Sequence, residues 1–281
     1  MQDTMAKLNA LCEPLPFTVR FFVKNIRSGE VYSRGADDET PSASTRKISI
    51  MMAALKAVHD GRLDLDEPIP YEERLRDEVA SGVFRYLTPG IVISLRDAIV
   101  GMIVLSDNVC TKMVLDRLTL DEVNGYCKSI GMAGTHHRFL IPPLALSPDH
   151  ALSAVTTTTA SDQARLLEAI LAAQQSNAAA AKLGGSVELC EFALQTLKRQ
   201  ILRHGIPSRL PYDTEIASKS GRGKRGRMDA GIVFRDGLPL YVIAAFTDHV
   251  ALTMDDGTPG YTMSLETIGK LSRICWDSFR L

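Results

Sequence analysis

Strand-like text stands at the two ends of this 281-residue chain and helical text between them. That order constrains the fold more than any other feature, because a sheet drawn from both ends is completed by distant parts of the chain and the middle must leave it as an insertion. Near the start, residues 17–23 are rich in Val and Phe, residues 29–34 continue the pattern, and 25–29 supplies the turn of a hairpin. Near the end, strand texture covers 216–220, 231–235 and 240–247, with Asp236-Gly237 as a hairpin turn. Five strands are thus expected in one antiparallel sheet. Terminal helices flank it: residues 1–12, with Met5, Leu8 and Leu11 or Cys12 at helical spacing and Pro14 and Pro16 as stops, and residues 261–279.

Between them, a run without Pro or Gly over 45–59 places Ile48, Met51, Met52, Leu55 and Val58 on one stripe, which predicts a buried amphipathic helix with Ser44 at its start. Residues 61–191 read as mostly helical, with three-to-four spacing over 94–105, 108–118, 120–130 and 161–174, and Ala178 to Ala181 also suits a helix. The stretch 134–155 holds Pro142, Pro143, Pro148, His136, His137 and His150 and shows no period, so it reads as a long loop of the kind that often carries function. The expected organisation is an α/β domain of residues 1–60 and 195–281 and an inserted all-helical domain of 61–194. The cleft between them is the default site.

Composition narrows the function classes. With 45% hydrophobic and 23% charged residues, the chain is neither disordered nor fibrous, and at this length it can bury roughly 75% of its unfolded surface without metal or disulfide staples. Thirty-two Lys and Arg balance 33 Asp and Glu, a formal net charge of −1, so nothing draws the whole chain to nucleic acid or an anionic membrane. The apolar stretch 98–105 is far shorter than the ~20 residues a membrane helix needs. Residues 1–14 contain Asp3, Lys7 and Glu13 and show no signal-peptide pattern, so a cytoplasmic location is expected. Cys12, Cys110, Cys127, Cys190 and Cys275 are odd in number and widely spaced, with no C-x-x-C pair, which fits reduced thiols and no metal site.

Three short motifs follow one another: Ser44-Thr45-Arg46-Lys47, Ser106-Asp107-Asn108 and Lys219-Ser220-Gly221. Each alone is weak, since Ser-x-x-Lys also describes a helix N-cap with a solvated lysine, and Asn108 also suits a helix cap. Their order, separations and contexts carry more, because each falls where a shared cleft needs it. Lys219, Arg222, Lys224, Arg225 and Arg227 put five cations in nine residues. A solvated turn explains them, and a nucleic-acid patch is disfavoured by confinement to one hairpin without interleaved aromatics. A small substrate carboxylate, which arginine binds in bidentate fashion, fits better.

The three motifs resemble those of class A β-lactamases and penicillin-binding serine acyl-enzymes. So do Gly82-Val83-Phe84-Arg85-Tyr86-Leu87 followed by Pro89-Gly90, Leu95-Arg96-Asp97, the run from Met102 to Asn108, and the threonines Thr156 to Thr159; the likeness covers essentially the whole chain. It implies a β-lactamase-like α/β fold and a serine hydrolase that needs no cofactor or metal and acts on a small molecule. Ser44 is then the nucleophile, near free N–H groups and the positive end of a helix dipole. Lys47, one turn along on the same face, can reach the Ser44 hydroxyl and act as base once its pKa is lowered. Ser106 can relay a proton to the leaving nitrogen. Asn108 can hold Lys47 and a substrate carbonyl, while Asp107 stabilises its loop. Lys219 supplies positive charge, Ser220 stands where the family usually has Thr, and Gly221 allows close approach of substrate. By the same resemblance the backbone N–H groups of Ser44 and Arg222 form the oxyanion hole, worth roughly 3 kcal/mol each.

One departure concerns turnover. The family's omega loop carries a glutamate that activates the deacylating water, and residues 136–155 contain no Glu; Asp149, His136, His137 and His150 are the remaining candidate bases. Acylation machinery is therefore expected intact and deacylation machinery not. The leading expectation is hydrolysis of an amide, β-lactam or ester through an acyl-enzyme on Ser44. The alternatives are a covalent penicillin-binding or sensor protein with little turnover, and an esterase or acyltransferase of biosynthesis.

Overall fold

The structure, a computed structural model, describes residues 2–143 and 145–279; Met1 of the expected first helix and Leu144 of the expected loop lie outside the described residues. Helix α1 (Gln2–Cys12) buries Leu8 and Cys12, and Pro14 and Pro16 prevent its continuation. Strand β1 (Thr18–Asn25) alternates half-buried and buried positions, with Val19, Phe21 and Val23 on the buried face. Asn25 Oδ1 then accepts from the N–H groups of Arg27 (3.0 Å) and Ser28 (3.2 Å), an Asx turn that starts the return into β2 (Val31–Arg34).

A two-residue strand β3 (Thr40–Pro41) leads to a 3-10 turn, Ala43–Arg46, and from it into α2 (Lys47–His59). The sequence places Ser44 at the start of an α-helix; the structure places it in the 3-10 turn, with the α-helix beginning at Lys47. The single-stripe expectation is also too narrow, since Lys47, Ser49, Ala53 and Ala54 are buried along with Ile48, Met51, Met52 and Leu55. Helices of the following segment cover most of α2, and only its last turn, with Lys56 and His59, reaches water.

That segment contains β4 (Pro68–Pro70), α3 (Arg74–Asp77), β5 (Val92–Ser94), α4 (Leu95–Val104), α5 (Asn108–Leu115) and α6 (Leu120–Ser129). After the expected loop come β6 (Thr157–Thr158), α7 (Ala160–Ala173), α8 (Asn177–Lys182) and α9 (Val187–Lys198). The segment is not purely helical, because β4 pairs with β5, and β6 pairs with β3. The expected division at 194/195 falls inside α9, which runs on to Lys198. Ser94, Asp107, Thr119, Thr159, Ser176 and Ser186 each accept the N–H three residues on, so side-chain caps start α4 to α9. For α5 the cap is Asp107, not Asn108.

The chain returns to the sheet with β7 (Ile216–Arg222), β8 (Arg227–Arg235) and β9 (Leu238–Asp248), giving five antiparallel strands in the order β2-β1-β9-β8-β7. Asp236 (φ 52°) and Gly237 (φ 77°) both take left-handed conformations at the β8–β9 turn, as a tight hairpin requires. Along β9, Tyr241, Ile243 and Ala245 enter one core with α1 and the last helix, α10 (Gly260–Ser278). Val242, Ala244 and Phe246 enter the other. That second core runs unbroken from the sheet through Leu167 of α7 to Ile48, Met102 and Val114, so the sheet and the expected inserted lobe share one apolar interior. No helix among the described residues is long and apolar enough to cross a membrane.

Candidate active site

Lys47 is the meeting point of two of the three motifs. Its Nζ donates to Ser106 O (2.7 Å) and Asn108 Oδ1 (2.7 Å) and lies 3.4 Å from Ser106 Oγ. From the sheet, Lys219 Nζ donates to the same Ser106 Oγ (2.9 Å) and to Ser220 O (2.7 Å), which joins the third motif. Lys219 occupies one acceptor site of this hydroxyl and leaves its hydrogen uncommitted. Lys47 and Lys219 are almost wholly buried. Ser44 is half-buried in the turn that precedes Lys47.

Backbone strain marks both walls. Ala43, just before Ser44, has φ 41°, and Ser106 has φ 56°; left-handed geometry at non-glycine residues costs on the order of 1–3 kcal/mol each and persists where surrounding structure imposes it. At Ser106 the imposing contacts are visible. Asp107 caps α5 at Cys110 N (3.0 Å) and accepts from Phe84 N (3.0 Å), and Asn108 Nδ2 donates to Ser81 Oγ (3.0 Å). Asp107 thus stabilises its loop as expected, but the Asn108 amide expected for a substrate carbonyl is bound to Ser81. On the sheet side, a Cβ at Gly221 would lie 2.6 Å from Met228 Cγ and 3.2 Å from Ala43 Cβ. Glycine therefore lets β7 lie against the turn that carries Ser44.

The electrostatics follow from burial. Lys47 has its pKa pushed well below the usual lysine range by burial, then by the charges of Lys219 and Arg46. Burial brings Lys219 down to about 7, opposed by Asp229. Asp229 is raised to about 7 by burial, opposed by the N–H of Ile206 and by Lys219. Ile206 N donates to Asp229 Oδ2 (2.9 Å), and Oδ1 has no partner. Neither Asp229 nor Arg46 was singled out by the sequence, because burial of a charged side chain is not visible in residue order.

The cation cluster is only partly free. Arg225 is buried in a bidentate pair with Asp248 (2.7 and 2.8 Å) and also donates to His150 O (2.8 Å), so it is a structural group rather than a substrate ligand. Arg227 donates to Gly223 O and Gly226 O and lies over the Tyr261 ring. Arg222 and Lys224 are exposed.

Each candidate base of the loop has a local contact. Asp149 is exposed and bonded by Ser147, His136 is 3.5 Å from Glu39, and His150 Nδ1 lies 3.0 Å from Ala151 O. His137 is buried with Nε2 3.0 Å from Ser49 Oγ and its pKa far below the usual histidine value through burial and the charge of Arg46. No three His, Cys, Asp or Glu groups gather as metal ligands among the described residues, where all five cysteines are buried and free. A cavity of about 400 Å³ lined by Cys12, Phe17, Arg34 and His249 contains none of the motif residues.

The fold and the family model together define a hydrolase of the serine β-lactamase type: residues 3–279 match the model of the beta-lactamase enzyme family. The chain belongs to that family. The β-lactamase of Sphaerobacter thermophilus superposes with a TM-score of 0.82 at 24% identity, covering 99% of this chain and 97% of that one. PBP-A gives 0.81 at 25% identity, with 99% and 96% covered. A class A β-lactamase of Bacteroides cellulosilyticus gives 0.81 at 20% identity, with 98% and 96% covered. No curated protein matches the chain in sequence. The resemblance carried by the motifs therefore holds at the level of family and fold.

Proposed function

We propose that the protein forms an acyl-enzyme on Ser44 while cleaving an amide, β-lactam or ester bond of a small molecule that bears a carboxylate. In this reading uncharged Lys47 receives the Ser44 proton as Oγ attacks the carbonyl carbon. The backbone N–H groups of Ser44 and Arg222 hold the oxyanion. Ser106 then gives its proton to the leaving nitrogen or oxygen as that bond breaks, and the proton on Lys47 restores it. Lys219, Ser220 and exposed Arg222 attract the substrate carboxylate beside Gly221, and Asn108 holds Lys47. The observation that carries the reading is the shared Ser106 Oγ, 3.4 Å from Lys47 Nζ and 2.9 Å from Lys219 Nζ, a ready path for one proton.

A second reading, covalent capture with little turnover, is favoured by the absence of a glutamate from residues 136–155 and by the burial of His137 against Ser49. Among the structural neighbours, a mutant of PBP-A is known as an acyl-enzyme complex with penicillin G. Without a general base for water, deacylation loses roughly 10²–10⁴-fold. Pre-steady-state hydrolysis of a chromogenic cephalosporin, followed by intact mass, separates the two. A stoichiometric burst with a lasting adduct supports capture, whereas steady turnover on the order of tens per second without adduct supports the hydrolase. An adduct that survives Ser44→Ala, or no reaction at all, overturns both.

A further inference from the structure

Arg46 sits between Thr45 and Lys47 in the turn that carries Ser44, and its side chain is only 2% exposed. Its Nη1 donates to Phe139 O (2.6 Å) and Thr156 Oγ1 (3.1 Å), and its Nη2 donates to Leu140 O. Every hydrogen-bond partner it has among the described residues is a neutral oxygen, and no carboxylate lies within ion-pair distance of it there. A buried cation without a counter-ion is costly. An apolar side chain would fill the same space more cheaply, so the charge itself calls for a role.

Two features of its surroundings supply one. The guanidinium fork binds the carbonyls of two successive residues, Phe139 and Leu140, and so fastens the loop to the catalytic turn. The residue is also the neighbour of Lys47. The ionisable groups that act on Lys47 are Lys219 from β7, Arg46 from its own turn, and Asp107 and Cys110 from the start of α5. Asp107 draws a proton onto Lys47 and so opposes the two cations, even while it accepts from Cys110 N and Phe84 N. On the loop side, His137 is buried against Ser49 and held neutral, so it neither supplies nor cancels charge.

We propose that Arg46 is a positioning residue for acylation of Ser44: it anchors the loop at Phe139 and Leu140 and, as a fixed buried cation beside Lys47, keeps that amine free of a proton. The inference rests on the reading of Lys47 as the base. Arginine suits the task where lysine would not, because burial lowers its pKa only to about 10 and it stays charged through neutral pH. A lysine in the same place would shed its proton instead, and the field on Lys47 would vanish.

The test is the pH dependence of acylation, read as the rate of adduct formation by a chromogenic cephalosporin on the full-length protein. Removing the cation raises the proton affinity of Lys47, so in Arg46→Gln the rising limb moves to higher pH by about one unit, with about a tenfold loss below the limb. Thr156→Val removes one of Arg46's hydrogen bonds without changing charge, and its limb stays where it is in the unaltered protein. If both variants slow acylation equally at all pH values with no displaced limb, Arg46 is structural only and the inference fails. If Arg46→Gln does not fold, Arg46→Lys takes its place: a rising limb displaced to higher pH supports the inference, and an undisplaced limb overturns it. Absence of any adduct in the unaltered protein would instead remove the proposed function, a separate outcome.

Discussion

Lys219 Nζ, on the edge strand of the sheet, donates at 2.9 Å to Ser106 Oγ, a hydroxyl 113 positions earlier in the chain that Lys47 also approaches. One oxygen therefore links the helical segment, the helix that follows the Ser44 turn and the sheet. If that oxygen passes the proton to the leaving group, Ser106→Ala lowers the acylation rate by about 10²–10⁴-fold with little change in KM. Lys47 keeps its bonds to the Ser106 carbonyl and to Asn108, so the fold is retained. Stopped-flow acylation kinetics check this, and an unchanged rate would remove Ser106 from the mechanism.

Asp229 predicts a pH dependence of stability with a definite sign. Its pKa rises from the ordinary 3.8 to about 7 on burial, so the unfolded chain loses this proton first. Its contribution is full below about pH 4, declines as pH rises and is gone above about 7. Lys219, lowered to about 7 from 10.5, is protonated in both states below pH 7 and adds little slope there. Thermal unfolding of Asp229→Asn between pH 4 and 7 is expected to fall less steeply with pH than that of the unaltered protein, by on the order of a few kcal/mol across the window. Identical slopes would show that Asp229 ionises normally.

The buried pair Arg225 and Asp248 predicts a large stability cost. Arg225→Met leaves the Asp248 carboxylate, 1% exposed, with Arg20 at 3.5 Å as its remaining cation, and it also frees the His150 carbonyl. Losing one partner of a buried pair costs about 3–5 kcal/mol, and Arg20 holds the loss toward the lower figure. Adding Asp248→Asn recovers much of it, as chemical denaturation of the single and double variants would reveal. A loss under about 1 kcal/mol would mean that the pair is not closed in solution.

The exposed cations Arg222 and Lys224 predict a salt effect confined to anionic substrates. Raising ionic strength from 0.01 to about 0.15 M shortens the screening length from about 30 to about 8 Å. Reaction with carboxylate-bearing substrates should slow over that range more than reaction with neutral esters. Equal responses would return these side chains to the role of a solvated turn. Charge reversal at Lys224 provides the same comparison at fixed salt.

Local chemistry explains what was legible in advance. The strand texture of β1 and the Asp236-Gly237 turn depend on neighbouring residues, and so does helix periodicity. The three motifs were legible because their residue types and order survive without coordinates. What sequence reading misassigned depends on partners far along the chain: Arg225 reads as one cation of a cluster, yet Asp248 and His150 take it. Asn108 is expected to hold Lys47 and a substrate carbonyl; its oxygen does accept from Lys47, but its amide N–H goes to Ser81.

The sequence by itself determined the strand-bounded plan, the composition of a well-buried interior and the three motifs, since these rest on short-range periodicity and residue type. Tertiary structure alone decided that Ser106 lies between two buried lysines, that Arg46 is a buried cation without a counter-ion among the described residues, and that His137 is buried against Ser49. Burial and charge proximity are properties of the packed chain, and they set which amine carries a proton; no spacing in a linear sequence encodes them.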